Sequence, residues 1–351
     1  MSLPIDMQAP WRGAWLVLML ALATPVAAEV ASQRAVARSA TEEVMKAEPK
    51  ETRGGTLRTT DRIRDVLDHP QLAGFAHLML PWDEGSYDPD TRLDDIGSLL
   101  PYHTHVVPAV VVGALNRIIG DAGNGNTVFF DFYTDEQKQA DRSKAHTGLF
   151  FFRGRPGAPF AIIAPGGGFA YVASVHEGFP HATEISNMGF NAFVLKYRGG
   201  RGEVAATEDL TAAIAFVLEH ADELRVRRSG YSLWGSSAGA RMAAAIGSHG
   251  MARPGGKPVP RPTTVVMAYT GHADYAADEP PTFVVVGEQD TISPPTAMEK
   301  RIAALRKAGT LVEYRKFAGI GHGFGLGTGT IAEGWVAAAT RFWEEAIRRE
   351  Y

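Results

Sequence analysis

The alternation of short apolar runs with helical stretches after residue 125 is the feature that most constrains the fold. The apolar runs are rich in Phe, Val and Ile and are bounded by Gly, Pro or Asp, which predicts strands buried on both faces. Four such runs lie at 128–133, 149–153, 160–165 and 192–197, and further strands are predicted at 231–235, 264–268, 282–287 and 311–317. The helical stretches lie at 176–188, 207–224, 238–248, 294–308 and 331–349. This order predicts an α/β fold, with a mostly parallel central sheet covered by helices on both faces.

A Gly-x-Ser-x-Gly motif stands where one predicted strand ends and an alanine-rich helix begins. A nucleophile on such a tight strand-to-helix turn crowds the positions two residues before and after it, so both must lack bulk. Ser237 has Gly235 and Gly239 at those positions, whereas Ser236 has no such neighbours. The motif therefore predicts Ser237 as a nucleophile. The alternative is a flexible strand-to-helix connection, whose Gly and Ser content alone would produce the same sequence pattern.

A serine nucleophile needs a base and an acid that orients the base, and the chain supplies both in order. Asp290 follows the predicted strand 282–287, and His322 follows the predicted strand 311–317. The order Ser, Asp, His is typical of one α/β fold of hydrolases. The glycines beside His322 predict an open, adaptable loop. Asp290 could instead cap the next helix, and Glu288 is a competing acid two residues away.

A glycine run follows the predicted strand 160–165 and is a candidate oxyanion hole. Unobstructed backbone N–H groups can stabilise the negative charge that develops during acyl transfer. We expect Gly167, Gly168 and the N–H of Ala238, which follows the nucleophile, to supply them. The run lacks the residues of a phosphate-binding loop, which leaves an ordinary turn as the alternative.

These motifs resemble the acetyl esterase and hormone-sensitive-lipase-like branch of the α/β-hydrolases, over about residues 127–351. The resemblance implies an α/β-hydrolase fold and carboxylester hydrolysis on short acyl esters, including acetylated sugars, without a metal or organic cofactor. Pro165 stands where lipase-like members have histidine, which favours the carbohydrate-esterase-like relatives over enzymes of long-chain lipids. The matching segments are 165–169, 192–198, 235–239, 287–290 and 322–324.

Several side chains near these loops are candidates to contact a substrate. Each has a structural alternative, since an acid can stabilise a helix N-terminus and an arginine often pairs with a local acid. The histidines could belong to the core or to loops, and no metal site is expected, because no carboxylate cluster at ligand spacing accompanies them. The candidates are Phe169, Glu177, Arg198, Arg241, His272 and His103.

The N-terminal third divides into three predicted segments. An apolar run that ends before Glu29 predicts a signal peptide at 1–28 and export to the periplasm or the medium, with an uncleaved anchor as the alternative. Residues 29–60 predict a flexible tether, and residues 61–126 an extension that packs near the active-site mouth. The hydrolase domain is expected at 127–351. The chain has no cysteine, which excludes disulfides and thiol mechanisms.

The charge balance restricts the class of partner. With 35 basic and 39 acidic residues, the net charge is −4. This charge does not favour nucleic acid or an anionic membrane, so we expect a small-molecule or carbohydrate ester as substrate. An exported serine peptidase of the same fold and a non-catalytic binding module on a hydrolase scaffold are the alternatives. The sequence leaves the oligomeric state open.

Overall fold

The computed structural model describes residues 54–83, 85–251 and 258–350. The predicted signal peptide at 1–28 and most of the predicted tether at 29–60 lie outside these residues. Within them, eight strands form one sheet in the order β1-β2-β4-β3-β5-β6-β7-β8. The strands are β1 Phe129–Phe130, β2 Gly148–Phe152, β3 Phe160–Ala164, β4 Asn191–Lys196, β5 Ser232–Ser236, β6 Thr264–Ala268, β7 Thr282–Gly287 and β8 Val312–Phe317.

Strands β3 to β8 are parallel, and β2 near one edge pairs antiparallel with both of its neighbours, β1 and β4. The predicted α/β class with a mostly parallel sheet is confirmed. The α-helices of the described residues are Ile63–Leu67, Ala76–Met79, Pro108–Gly123, Asp135–Ala140, Phe179–Asn187, Gly202–Glu219, Ala221–Leu224, Ala238–His249, Pro295–Ala308 and Trp335–Glu350.

Successive residues of the central strands point into two different cores. Along β3, Ile162 packs on one face and Ile163 on the other, and neither has more than 1% of its surface exposed. The helices Gly202–Glu219 and Ala238–His249 cover the first face, and the helix Trp335–Glu350 covers the second. Parallel strands covered in this way must be apolar on both faces, which explains the uninterrupted runs in the sequence.

The described part of the predicted extension joins the core on the second face. Its buried residues, such as Leu72, Leu93 and Val111, belong to the same cluster as Trp335 of the last helix. The Pro108–Gly123 helix supplies Leu115 and Ile118 to this cluster. Among the described residues, no helix combines the length and apolarity that crossing a membrane would require.

Two predicted elements differ from the structure for local reasons. The run 128–133 forms only the short β1, because Asp131 turns the chain and its Oδ1 accepts the N–H of Tyr133 at 3.3 Å. The stretch 176–188 opens as a π turn at Ser174–Gly178 and becomes an α-helix only at Phe179. Pro180 has no N–H to donate, so it suits the first turn of that helix.

Candidate active site

Ser237 occupies a strained turn between β5 and the helix that follows it. Its φ is +50° and its ψ is −114°, a combination that L-residues rarely adopt, and its N–H donates to the carbonyl of Ala268 at 2.9 Å. A Cβ on Gly235 would overlap Gly239, and a Cβ on Gly239 would overlap the carbonyl of Ala164. The turn therefore requires both glycines, as the motif predicts.

The structure brings Ser237, His322 and Asp290 together in a hydrogen-bonded chain. Ser237 Oγ lies 2.9 Å from His322 Nε2, and His322 Nδ1 lies 2.7 Å from Asp290 Oδ2. Asp290 Oδ1 accepts the N–H groups of Ile292 and Ser293 at 2.9 and 2.7 Å, which fixes the carboxylate. The side chain of Asp290 is fully buried. In this arrangement Ser237 Oγ–H can donate to His322, and His322 can donate to Asp290.

Glu288 does not occupy the position of the acid. It is exposed at the end of β7, and its N–H donates to the carbonyl of Phe317 at 2.9 Å. The structure therefore places Asp290, and not Glu288, against the histidine. Both acids follow the same strand, so spacing alone could not separate them.

The loop that carries His322 is held from several sides. Thr104 Oγ1 donates to the carbonyl of His322 at 2.7 Å, and the Thr104 N–H donates to the carbonyl of Gly323 at 3.1 Å. His176 Nε2 lies 2.9 Å from the same Gly323 carbonyl. The prediction of an open, adaptable loop is wrong, because these contacts from the distant Thr104 and His176 satisfy its carbonyl groups.

The glycine loop has the backbone shape expected of an oxyanion hole. Gly167 and Gly168 have φ values of +123° and +63°, which glycine adopts without strain. Within the described part of the chain, no acceptor takes the N–H of Gly167 or of Gly168. Ala238 begins its helix, and the N–H groups of a first helical turn have no intrahelical acceptor. Gly168 and Ala238 line the same cleft as Ser237.

A cleft of about 530 Å³ opens beside Ser237. This volume suits a small molecule. Arg241 lies on its wall, where Nη2 pairs with Glu203 at 2.9 Å and the side chain remains 47% exposed. Phe169 also faces the cleft. The lining residues are Gly168, Phe169, Ser237, Ala238, Arg241, Thr270, Gly271, Ile292, Ser293, Pro294, Thr296 and Ala297.

Four of the substrate-contact candidates lie elsewhere. Arg198 lies in the interior, where it bonds to Asp209 with Nε–O distances of 2.9 and 3.1 Å, so its predicted substrate contact is wrong. Glu177 and His103 are also wrong as substrate contacts, because their buried side chains pair with each other at 2.9 Å. His272 is half-buried and lies outside the lining of the cleft.

Sequence reasoning missed four residues after β6 and β7, namely Tyr269, Thr270, Ile292 and Ser293. Tyr269 is buried against the imidazole of His322, with ring centroids 5.2 Å apart, and Thr270 lines the cleft. Ile292 and Ser293 line it from the loop after Asp290. The signal was available, since the carboxyl ends of neighbouring parallel strands meet at one edge of the sheet.

Comparisons with known proteins agree with this fold. The BD-FAE family matches residues 153–254, and the prolyl oligopeptidase family matches residues 256–350. No curated relative matches the chain.

Solved structures share the fold at low sequence identity. The acetyl ester-xyloside bifunctional hydrolase of Caldicellulosiruptor lactoaceticus is 22% identical with a TM-score of 0.51, over 57% of this chain and 88% of that one. An alpha/beta hydrolase from a Medee basin deep-sea metagenome library is 22% identical with a TM-score of 0.50, over 57% and 93% of the two chains. A sugar hydrolase of Lactococcus lactis is 20% identical with a TM-score of 0.51, over 58% and 95%.

Proposed function

Because the chain has the α/β-hydrolase fold, we propose that it is a serine hydrolase that cleaves short-chain carboxylic esters through an acyl-enzyme on Ser237. The observation that carries the proposal is the hydrogen-bonded chain from Ser237 Oγ through His322 to Asp290, with distances of 2.9 and 2.7 Å. A serine hydroxyl becomes a useful nucleophile only when a base accepts its proton in this way.

The proposed reaction has two steps that use the same groups. His322 Nε2 takes the proton of Ser237 Oγ as the oxygen attacks the ester carbonyl carbon, and the N–H groups of Gly167, Gly168 and Ala238 stabilise the oxyanion. His322 then gives that proton to the alcohol oxygen as the ester bond breaks. In the second step, His322 accepts a proton from water, the hydroxide adds to the acyl carbon, and the proton returns to Ser237 as the acid leaves. Asp290 holds the ring and stabilises the imidazolium.

We further propose an acetylated carbohydrate as substrate. The similar proteins include an acetyl ester-xyloside hydrolase and a sugar hydrolase, and the cleft volume suits a small acyl group with part of a sugar ring. Export to the periplasm or the medium, expected from residues 1–28, would give the enzyme access to such polymers.

A fluorophosphonate probe and p-nitrophenyl acetate test the reaction class together. Ser237→Ala should abolish both labelling and turnover, since the probe and the ester need the same oxygen. Labelling that persists in Ser237→Ala would refute the assignment. A panel of acetylated xylo-oligosaccharides, feruloyl esters and p-nitrophenyl esters of two to twelve carbons then tests the substrate. The highest kcat/KM is expected for the acetylated sugars.

A peptidase is the second candidate, and the match of residues 256–350 to the prolyl oligopeptidase family favours it. Proline-containing p-nitroanilide peptides separate the two functions. We expect amide turnover far below ester turnover, and the reverse order would establish the peptidase.

A further inference from the structure

Glu177 is a fully buried carboxylate that lies directly behind the glycine loop. Its Oε2 accepts the N–H of Gly166 at 2.6 Å. A Cβ on Gly166 would lie 2.7 Å from that oxygen and 2.9 Å from Ser237 Cβ, so the first glycine is packed between the carboxylate and the nucleophile. The Ala173 N–H donates to the carbonyl of Gly166 at 3.0 Å. Both polar groups of Gly166 are therefore bound within the protein.

The other carboxylate oxygen of Glu177 meets a histidine from the N-terminal extension. His103 Nε2 lies 2.9 Å from Glu177 Oε1, and the two side chains are 1% and 0% exposed. His103 Nδ1 lies 3.0 Å from the hydroxyl of Tyr171, which also accepts the N–H of Tyr102 at 3.3 Å. His103 therefore links the Glu177 carboxylate to the hydroxyl of Tyr171, with one contact at each ring nitrogen.

The buried carboxylate is held in its charged form. Burial alone would raise the pKa of Glu177, but the attraction and the hydrogen bond of His103 outweigh it and lower the pKa to about 2. A buried carboxylate without such partners is costly, and removing one partner of a buried pair leaves the other uncompensated. The His103–Glu177 pair therefore stabilises an anion in contact with the loop.

The arrangement explains how the loop presents its donors. The N–H of Gly166 is bound to Glu177, whereas the N–H groups of Gly167 and Gly168 have no acceptor among the described residues. Donors that are held in place before the reaction stabilise an oxyanion without any cost of reorganisation during it. A loop released at Gly166 could turn its peptide groups away from the cleft.

We propose that Glu177 and His103 are positioning residues that hold the oxyanion loop in its productive conformation. The extension that carries His103 is then part of the catalytic apparatus. The inference rests on the proposed function, because an oxyanion hole has meaning only for acyl transfer.

Four variants of the full chain test the proposal: Glu177→Ala, His103→Ala, Glu177→Gln and the double variant that combines the two alanine changes. Glu279→Ala is the matched control. Glu279 is also a buried carboxylate, and it pairs with Arg301 at 2.7 Å away from the glycine loop. We would measure kcat and KM per active site, counted by fluorophosphonate titration, and the inhibition constant of a trifluoromethyl ketone. This ketone forms a tetrahedral adduct with Ser237 whose oxygen needs the same N–H donors.

We expect Glu177→Ala and His103→Ala to lower kcat about 10-fold to 100-fold, with KM within about threefold of the wild type. The affinity for the ketone should fall by the same factor as kcat, since the adduct mimics the transition state. Glu177→Gln retains an acceptor for the Gly166 N–H, so its kcat should fall by less than about threefold. The kcat of the double variant should be no lower than that of the worse single variant, because the two residues act as one unit.

Three results would overturn the proposal. These are an unchanged kcat per active site in Glu177→Ala, an equal loss in Glu279→Ala, or additive losses in the double variant. A wild-type protein that binds the ketone but turns over no ester would instead refute the proposed function. The affinities for the ketone would still test the positioning role in that case.

Discussion

Asp290 Oδ2 lies 2.7 Å from His322 Nδ1, while Glu288, two residues earlier, is exposed. The difference arises because the chain turns inward after β7, where the N–H groups of Ile292 and Ser293 donate to Asp290 Oδ1. The pairing decides between two acids that the sequence offers at nearly the same place.

Asp290→Asn should therefore lower kcat about 10⁴-fold, because an amide cannot hold the imidazole in the tautomer that accepts the serine proton. Glu288→Gln is the matched control and should leave kcat within about twofold, since an exposed side chain of similar size is changed. Steady-state hydrolysis of p-nitrophenyl acetate measures both. Equal losses in the two variants would contradict the assignment of Asp290.

Gly239→Ala should destroy the nucleophile turn, because its Cβ would overlap the carbonyl of Ala164 and neither backbone can move freely. We expect loss of fluorophosphonate labelling together with a lower midpoint of thermal unfolding. Gly113→Ala is the control, because Gly113 lies inside the Pro108–Gly123 helix with open space around it. That change should leave labelling intact and stabilise the protein slightly, since alanine favours a helix. Normal labelling of Gly239→Ala would contradict the crowding argument.

Two buried histidines should make the protein sensitive to mild acid. Burial lowers the pKa of His176 and of His181 from 6.5 to about 4. A histidine with a depressed pKa is protonated first in the unfolded chain, so its stabilising contribution is complete above pH 6.5 and is lost as the pH falls towards 4. The free energy of unfolding should therefore decrease across that window.

Urea unfolding of His181→Gln at pH 7 and pH 5 isolates one of these contributions. The loss of stability between the two pH values should be smaller than in the wild type by about 1–2 kcal/mol. His146→Gln, at an exposed position, should keep the wild-type dependence on pH. If the free energy of unfolding changes with pH equally in all three proteins, His181 does not contribute to the sensitivity to acid.

The Arg198–Asp209 pair should support the fold and not the chemistry. Asp209 is fully buried and also accepts from the hydroxyl of Tyr133 at 2.7 Å. Asp209→Ala should lower the free energy of unfolding by about 1–3 kcal/mol, because it leaves Arg198 Nε and the Tyr133 hydroxyl without their buried acceptor, while Asp141 and Glu208 still pair with the guanidinium. The kcat per active site should not change. Asp222→Ala breaks the exposed pair with Arg228 and should leave the urea midpoint unchanged. A fall in kcat per active site for Asp209→Ala would contradict this prediction and indicate a functional role for Arg198.

The strand-and-helix order and the turn at Ser237 could be predicted from the sequence because both are local. A strand buried on two faces needs an unbroken apolar run, and a tight turn needs glycine where a Cβ has no room. The order of Ser237, Asp290 and His322 follows from the order of the strands that carry them, since parallel strands end at one edge of the sheet. The fold class is confirmed, and the roles of these residues remain proposals for the experiments above.

The tertiary structure alone decided which polar side chains face the cleft. Glu177, His103 and Arg198 looked like binding residues in the sequence, yet each is buried with a partner that lies elsewhere in the chain. His103 and Glu177 are 74 positions apart, and Thr104 reaches the loop of His322 from a distance of 218 positions. The contacts of His103 and Thr104 depend on how the extension packs against the hydrolase core, and no local spacing encodes them, whereas Arg198 pairs with Asp209 only 11 positions away. The sequence by itself determined which residues could act, and long-range packing decided whether each one faces a substrate or holds another in place.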